Sequence, residues 1–137
     1  MATIVGKVII VHPSTTWRQQ GCDALRTRGY SVSGFSHSAS ALAHLRTHST
    51  DLVIADYSSI KTSLIKWRRL SGGQSRIVLL LRSQNAQTIA ECFRSGADDC
   101  AVGPLDGQGL FEIVTRTLKK PTPKTALTVG VKTYAEC

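Results

Sequence analysis

Five short apolar runs rich in β-branched residues alternate along the chain with segments whose apolar residues recur at helical spacing, and this alternation predicts βαβ units built around a parallel sheet. Residues 7–11 are almost continuously apolar, as suits a strand covered by helices on both faces. Residues 30–35 alternate only weakly and predict a strand nearer an edge, and residues 51–55 form a third strand ending at Asp56. The uninterrupted run 77–81 is expected at the centre of the sheet, and 100–102 is a brief fifth strand.

Helices fill the intervals. Ser14 or Thr15 caps one that runs to about Arg28, with Trp17, Gly21, Ala24 and Leu25 inward, and Gly29 stops it. Ser38 is placed to cap a second, carrying Ala41, Leu42 and Leu45 inward. Leu64, Trp67 and Leu70 fall at helical intervals over 60–70, and Gly72-Gly73 ends that helix. A helix from about Asn85 presents Ile89, Ala90 and Phe93 inward and stops at Gly96, and one after Pro104 places Leu110, Ile113, Val114 and Leu118 on one side. Beyond Lys119-Lys120 the string Pro121-Thr122-Pro123-Lys124 reads as a linker, so residues 1–120 are expected to be one domain and 121–137 a linker or tail, or the start of a further segment.

Composition narrows the class. A chain of 137 residues accommodates one domain of ordinary size, and 42% hydrophobic with 19% charged residues is a globular balance. No apolar stretch reaches the length of a membrane span, so a cytoplasmic location with no membrane partner is expected. Cys22, Cys92, Cys100 and Cys137 show no C-x-x-C spacing, which leaves ordinary thiols as the expectation. Seventeen Lys and Arg against nine Asp and Glu give a formal charge of +8, which admits anionic partners without requiring them. No glycine-rich phosphate loop follows the first strand, against a nucleotide-processing enzyme.

Several strings then fall in one order. Gly29-Tyr30-Ser31-Val32 opens the second strand, the run from Asp51 to Asp56 forms the third, and Gly96-Ala97-Asp98-Asp99 precedes the fifth, followed by Pro104-Leu105-Asp106. Together they resemble the CheY-like receiver domains of bacterial response regulators over residues 7–120. The resemblance implies a flavodoxin-like three-layer α/β sandwich, with a five-stranded parallel sheet of order 2-1-3-4-5 and helices on both faces. Its functional crevice would lie at the carboxyl ends of strands one and three, where His12, Pro13 and Asp56 fall.

It also implies a site from which most parts are missing. The family holds Mg²⁺ with two acidic residues after strand one and an aspartate after strand three; His12 and Pro13 stand at the acidic positions, and neither suits a hard cation that demands oxygen ligands. Leu81 occupies the place of the family's hydroxyl residue, and Gly103 that of its lysine. Ser83 and Arg82 are candidate substitutes for the hydroxyl and the charge, Cys100 replaces the switch aromatic, and the loop after Asp56 lacks the usual Pro-Gly pair. The reading is therefore a pseudo-receiver: not an enzyme, without a cofactor, acting through protein contacts with a histidine kinase or an output domain. The alternative is a phosphorylatable receiver with Asp56 as phosphoacceptor and Mg²⁺ as its metal.

A homodimer is expected, if one forms, through the face of helix four, strand five and helix five, near Arg94, Cys100 and Phe111. His44 and His48, four apart with His37 nearby, have the spacing of a two-imidazole metal site but read as solvated helix-surface residues. Lys61, Lys66, Arg68 and Arg69 around Trp67 read as an ordinary exposed face, so nucleic acid is not expected as a partner, although a basic nucleic-acid-binding α/β domain stays a second hypothesis and a small-molecule-binding one a third. Asp98 and Asp99 are expected to shape a turn, and Cys92 with Cys100 to be buried thiols rather than a redox switch.

Overall fold

The structure, a computed structural model, describes residues 5–60, 75–103 and 105–119. Strand β1 (Gly6–Val11) precedes helix α1 (Thr15–Arg26), β2 (Tyr30–Phe35) precedes α2 (Ser38–Leu45), and β3 (Leu52–Asp56) runs directly into α3 (Tyr57–Ile60). Strand β4 (Arg76–Leu81) then leads to α4 (Ala86–Arg94), and β5 (Asp99–Val102) to α5 (Gly107–Leu118). All neighbouring strands pair in parallel, in the order β2-β1-β3-β4-β5 implied by the resemblance.

Side chains alternate between the faces of a strand, so a strand covered on both sides must be apolar at every position. Ile9, Val11, Val53, Ala55, Ile77, Leu79 and Leu81 accordingly enter one core, closed by Ala41 and Leu45 of α2, Tyr57 of α3, and Ile89 and Cys92 of α4. Val8, Ile10, Leu52, Ile54, Val78 and Leu80 enter the other, closed by Trp17, Cys22 and Leu25 of α1 and by Leu110, Ile113 and Val114 of α5. Helices α1 and α5 approach closely because both carry glycine at the crossing. A Cβ on Gly21 would lie 3.0 Å from Leu110 Cδ2, and one on Gly107 only 2.9 Å from Ala24 Cβ.

Several expectations are corrected. The centre of the sheet is β3, not the strand at 77–81, because an uninterrupted apolar run reports cover on both faces, a condition β3 and β4 share. Asp51 lies outside β3 and instead accepts a 2.8 Å hydrogen bond from the Lys7 backbone N–H. Ser38 is the first residue of α2 rather than its cap; His37 holds the N-cap position without a side-chain hydrogen bond to the helix. Helix α1 ends at Arg26, two residues before Arg28, and Gly29 turns the chain at φ 96°.

Helix α4 is capped by Asn85, whose side chain accepts from the N–H groups of Gln87 and Thr88, but its inward stripe is rotated from the expected one. Cys92 is fully buried and Ile89 half-buried, whereas Ala90 is exposed and Phe93 is 40% exposed. The stripe follows the i, i+3 pair 89 and 92, leaving Ala90 and Phe93 at its margin. The expected helix over 60–70 with its basic residues and Trp67, its Gly72-Gly73 stop, Pro104, and the segment 121–137 all lie outside the described residues.

Candidate functional site

The register of the sheet sets the candidate site. Val11 lies opposite Ala55, so the next residues, His12 and Asp56, meet at the carboxyl rim of β1 and β3, and Asp56 is in turn registered with Leu80 of β4. His12 and Asp56 line one cleft of about 320 Å³ together with Trp17, Leu81, Arg82 and Gly103. A smaller cleft of about 210 Å³ opens on the other side of Asp56 and Arg82, bounded by Tyr57, Ser58, Ser83 and Thr88.

Asp56 is 3% exposed although it ends its strand. Its Oδ2 accepts a hydrogen bond from the Ser58 hydroxyl, and its Oδ1 lies 4.0 Å from Nε of Arg82, whose side chain is 78% exposed. The chain thus supplies the carboxylate with a hydroxyl donor two residues on and a guanidinium from the end of the neighbouring strand. Such a pairing is what a charge kept out of water requires.

His12 is held from several directions. Its Nδ1 accepts the Ser14 backbone N–H at 3.0 Å, which assigns the proton of the neutral ring to Nε2, and its carbonyl accepts from Nη1 of Arg18 at 2.7 Å. The imidazole lies 4.5 Å from the Trp17 ring, tilted by 36°. Burial lowers the His12 pKa; the Asp56 carboxylate opposes that shift, while Arg82 and Arg18 reinforce it. Trp17 is fixed in turn by donating Nε1–H to the carbonyl of Leu105 at 2.8 Å, which ties α1 to the segment entering α5. Ser14 completes the frame as the α1 N-cap, its hydroxyl accepting from the Trp17 N–H at 3.2 Å.

The donors here do not fit the Mg²⁺ that the resemblance implies. Pro13 is exposed and brings no ligand, His12 offers a nitrogen on a ring whose other nitrogen is engaged, and one Asp56 oxygen is bonded to Ser58 while the other faces a guanidinium. A small hard cation needs several oxygens in octahedral array, and among these three residues only Asp56 is a carboxylate. Among the described residues no group of three or more His, Cys, Asp or Glu side chains could hold a metal. Leu81 is buried, and Gly103 turns at φ 81° with open space where a side chain would begin. Ser83 is exposed in the smaller cleft, and Arg82 is the substitute that reaches Asp56.

Elsewhere the expected residues take various places. Arg94 is exposed at the end of α4, and Cys100 is half-buried on β5, packed against the same core that Cys92 enters. Phe111 lies on the α1 side of α5, its ring 4.8 Å beneath the Arg28 guanidinium, and so is turned away from the α4–β5 surface. His44 and His48 stack in parallel at 4.1 Å, and the Phe35 ring lies 5.2 Å from that of His44, tilted by 52°. Asp98 ties its turn to the neighbouring strand, accepting the Ile77 N–H of β4 at 2.8 Å. Asp99 goes further: it is buried, and it bonds Nε of Arg116 at 2.9 Å, clamping β5 to α5. No periodicity announces that pair, because it joins a strand end to a helix seventeen residues later.

No family model matches the sequence, and no curated protein matches it. Solved structures do match the fold. A response regulator from Thermotoga maritima aligns at TM-score 0.74 and 22% identity, covering 88% of this chain and 100% of its own. The chemotaxis response regulator CheY4 of Vibrio cholerae aligns at TM-score 0.76 and 22% identity, over 84% of this chain and 99% of its own. A Burkholderia pseudomallei response regulator described with a phosphorylated aspartic acid, a calcium ion and citrate aligns at TM-score 0.71 and 17% identity, over 96% of this chain and 74% of its own. Among the described residues no helix is long and apolar enough to cross a membrane. By the order of its strands and the likeness of these structures, the chain is built on the fold of CheY-like response-regulator receiver domains.

Proposed function

We propose that this chain is a receiver-type signalling module of a bacterial two-component system that acts through protein contacts rather than by phosphoryl transfer at Asp56. The observation that carries the reading is the environment of that aspartate: Ser58 and Arg82 attend its carboxylate while His12 and Pro13 stand where metal-binding acids would be needed. Phosphoryl transfer depends on cations that neutralise charge spreading over the equatorial oxygens, and the loss of one such group commonly slows a reaction by orders of magnitude. The likeness of the fold to response regulators supports a regulatory role. On this reading the module has no catalysis of its own, works in the cytoplasm with a histidine kinase or an output domain as partner, and pairs with a second copy, if it does, through the α4–β5–α5 face.

Incubation with acetyl phosphate and Mg²⁺, read by intact mass, tests this. The expected result is an unchanged mass for wild type. A phosphoryl adduct that disappears in Asp56→Asn would establish the phosphorylatable alternative, with Asp56 as nucleophile and Mg²⁺ as its metal.

A further inference from the structure

We propose that the larger cleft beside Asp56 binds a small aromatic carboxylate, so that a ligand rather than a phosphoryl group is the input to this module. The proposal rests on the reading that Asp56 is not phosphorylated. The cleft's volume of about 320 Å³ falls in the range of small-molecule sites, which are mostly apolar with a few placed polar groups. This one is built that way. Leu80 and Leu81, both buried, and the Trp17 ring supply apolar wall, and Gly103 leaves open space where another residue would begin a side chain. The Trp17 indole is already held by its 2.8 Å bond to the Leu105 carbonyl, so an aromatic ring packed against it costs little further ordering.

Two side chains lining the cleft have donors to spare. Nδ1 of His12 accepts from the Ser14 N–H, so its other nitrogen is a donor, Nε2–H, and among the described residues nothing accepts from it. Nε of Arg82 faces Asp56 at 4.0 Å, while its Nη groups have no partner among the described residues and the side chain is 78% exposed. A guanidinium fork of that kind suits a planar carboxylate, which can take parallel N–H bonds from it. Charge points the same way. Asp56 brings one negative charge to the cleft, whereas Arg82 and Arg18 bring two positive charges to bear on His12. A monoanion uses that surplus. A cation would oppose it, and a dianion such as phosphate would add repulsion against Asp56 and leave the apolar walls uncovered.

The test titrates benzoate and cinnamate into the full ¹⁵N-labelled chain, with benzamide and acetate as the arms that lack the charge and the ring. The expected result is saturable shifts from both aromatic carboxylates at the amides of His12, Trp17 and Gly103 and at the Trp17 indole N–H, with a much weaker response to benzamide and acetate. Bound benzoate should also raise the His12 pKa, because an anion beside the ring favours its charged form. Arg82→Ala, and Arg82→Gln as a second variant, should each weaken benzoate binding about tenfold while keeping a folded amide spectrum, the loss expected of one charge-assisted bond. Benzamide binding as tightly as benzoate, undiminished affinity in both Arg82 variants, shifts at Ser83 and Thr88 of the smaller cleft instead, or an unresponsive spectrum would overturn the ligand and leave the reading of Asp56 intact. An Asp56 phosphoryl adduct from acetyl phosphate, measured in parallel by intact mass, would overturn that reading and the proposal with it.

Discussion

Nε of Arg82 stands 4.0 Å from Oδ1 of Asp56, with the arginine side chain 78% exposed and the aspartate side chain 4% exposed. The pair therefore joins a sheltered charge to a solvated one. Water screens the guanidinium end, so Arg82→Ala should change stability by no more than about 1 kcal/mol. The same substitution should raise the His12 pKa, since Arg82 is one of the charges holding it down. Urea unfolding and a proton NMR titration of the His12 ring check the two halves separately.

His12 itself makes stability depend on pH. Its folded pKa lies below the ordinary 6.5, so over the interval between the two values the unfolded chain binds more protons than the folded one. The contribution is fully present above 6.5 and is lost as pH falls through the lower folded value. His44, lowered mainly by burial and also by the charge of His48, acts in the same direction. The loss of stability on acidification should therefore be smaller in His12→Asn than in wild type. Because the Asp56 carboxylate raises the His12 pKa, Asp56→Asn should move it lower still; an upward movement would contradict the geometry.

The Asp99–Arg116 clamp should be worth more than the exposed pair. Nε of Arg116 lies 2.9 Å from a carboxylate that is 12% exposed, and the other oxygen of Asp99 accepts the Cys100 N–H at 2.8 Å. Arg116→Ala takes a charge-assisted bond from a largely buried group and should cost about 1–3 kcal/mol in urea unfolding. Hydrogen exchange should show the loss concentrated at the ends of β5 and α5.

Thr117 presents the opposite case. The residue is fully buried on α5, and its hydroxyl has no hydrogen-bond partner among the described residues. Valine keeps the branched shape and removes the oxygen, so Thr117→Val should stabilise the domain by about 1 kcal/mol. Unchanged or lowered stability would mean that the hydroxyl is in fact satisfied.

Much of the architecture was legible because strands covered on both faces must be apolar throughout, which marked β1, β3 and β4 directly. The glycines at 29 and 96, both at positive φ, marked the ends of α1 and α4 for the same reason, since few other residues tolerate that backbone. What periodicity missed depends on neighbours distant in sequence. The inward face of α4 is set by how the helix settles on β4 and β5, so Cys92 rather than Phe93 reaches the core. The site divided the same way. The positions of His12 and Asp56 follow from strand ends, and Arg82 could be named as a source of charge. The Trp17 bond to Leu105 and the Arg28 guanidinium over Phe111 join segments distant in sequence, and the Ser58 hydroxyl on Asp56, though only two residues on, depends on how the chain turns out of β3.

In the reading proposed above, Asp56 is attended by the protein's own groups and does not assemble a metal-dependent phosphoryl site. Beryllofluoride with Mg²⁺, which mimics an acyl phosphate, tests it most directly when added to ¹⁵N-labelled protein and followed in the amide spectrum. The expected spectrum matches the fluoride and Mg²⁺ controls, with the amides of Asp56, Arg82 and Gly103 unmoved. Saturable shifts at those amides that vanish in Asp56→Asn would contradict it.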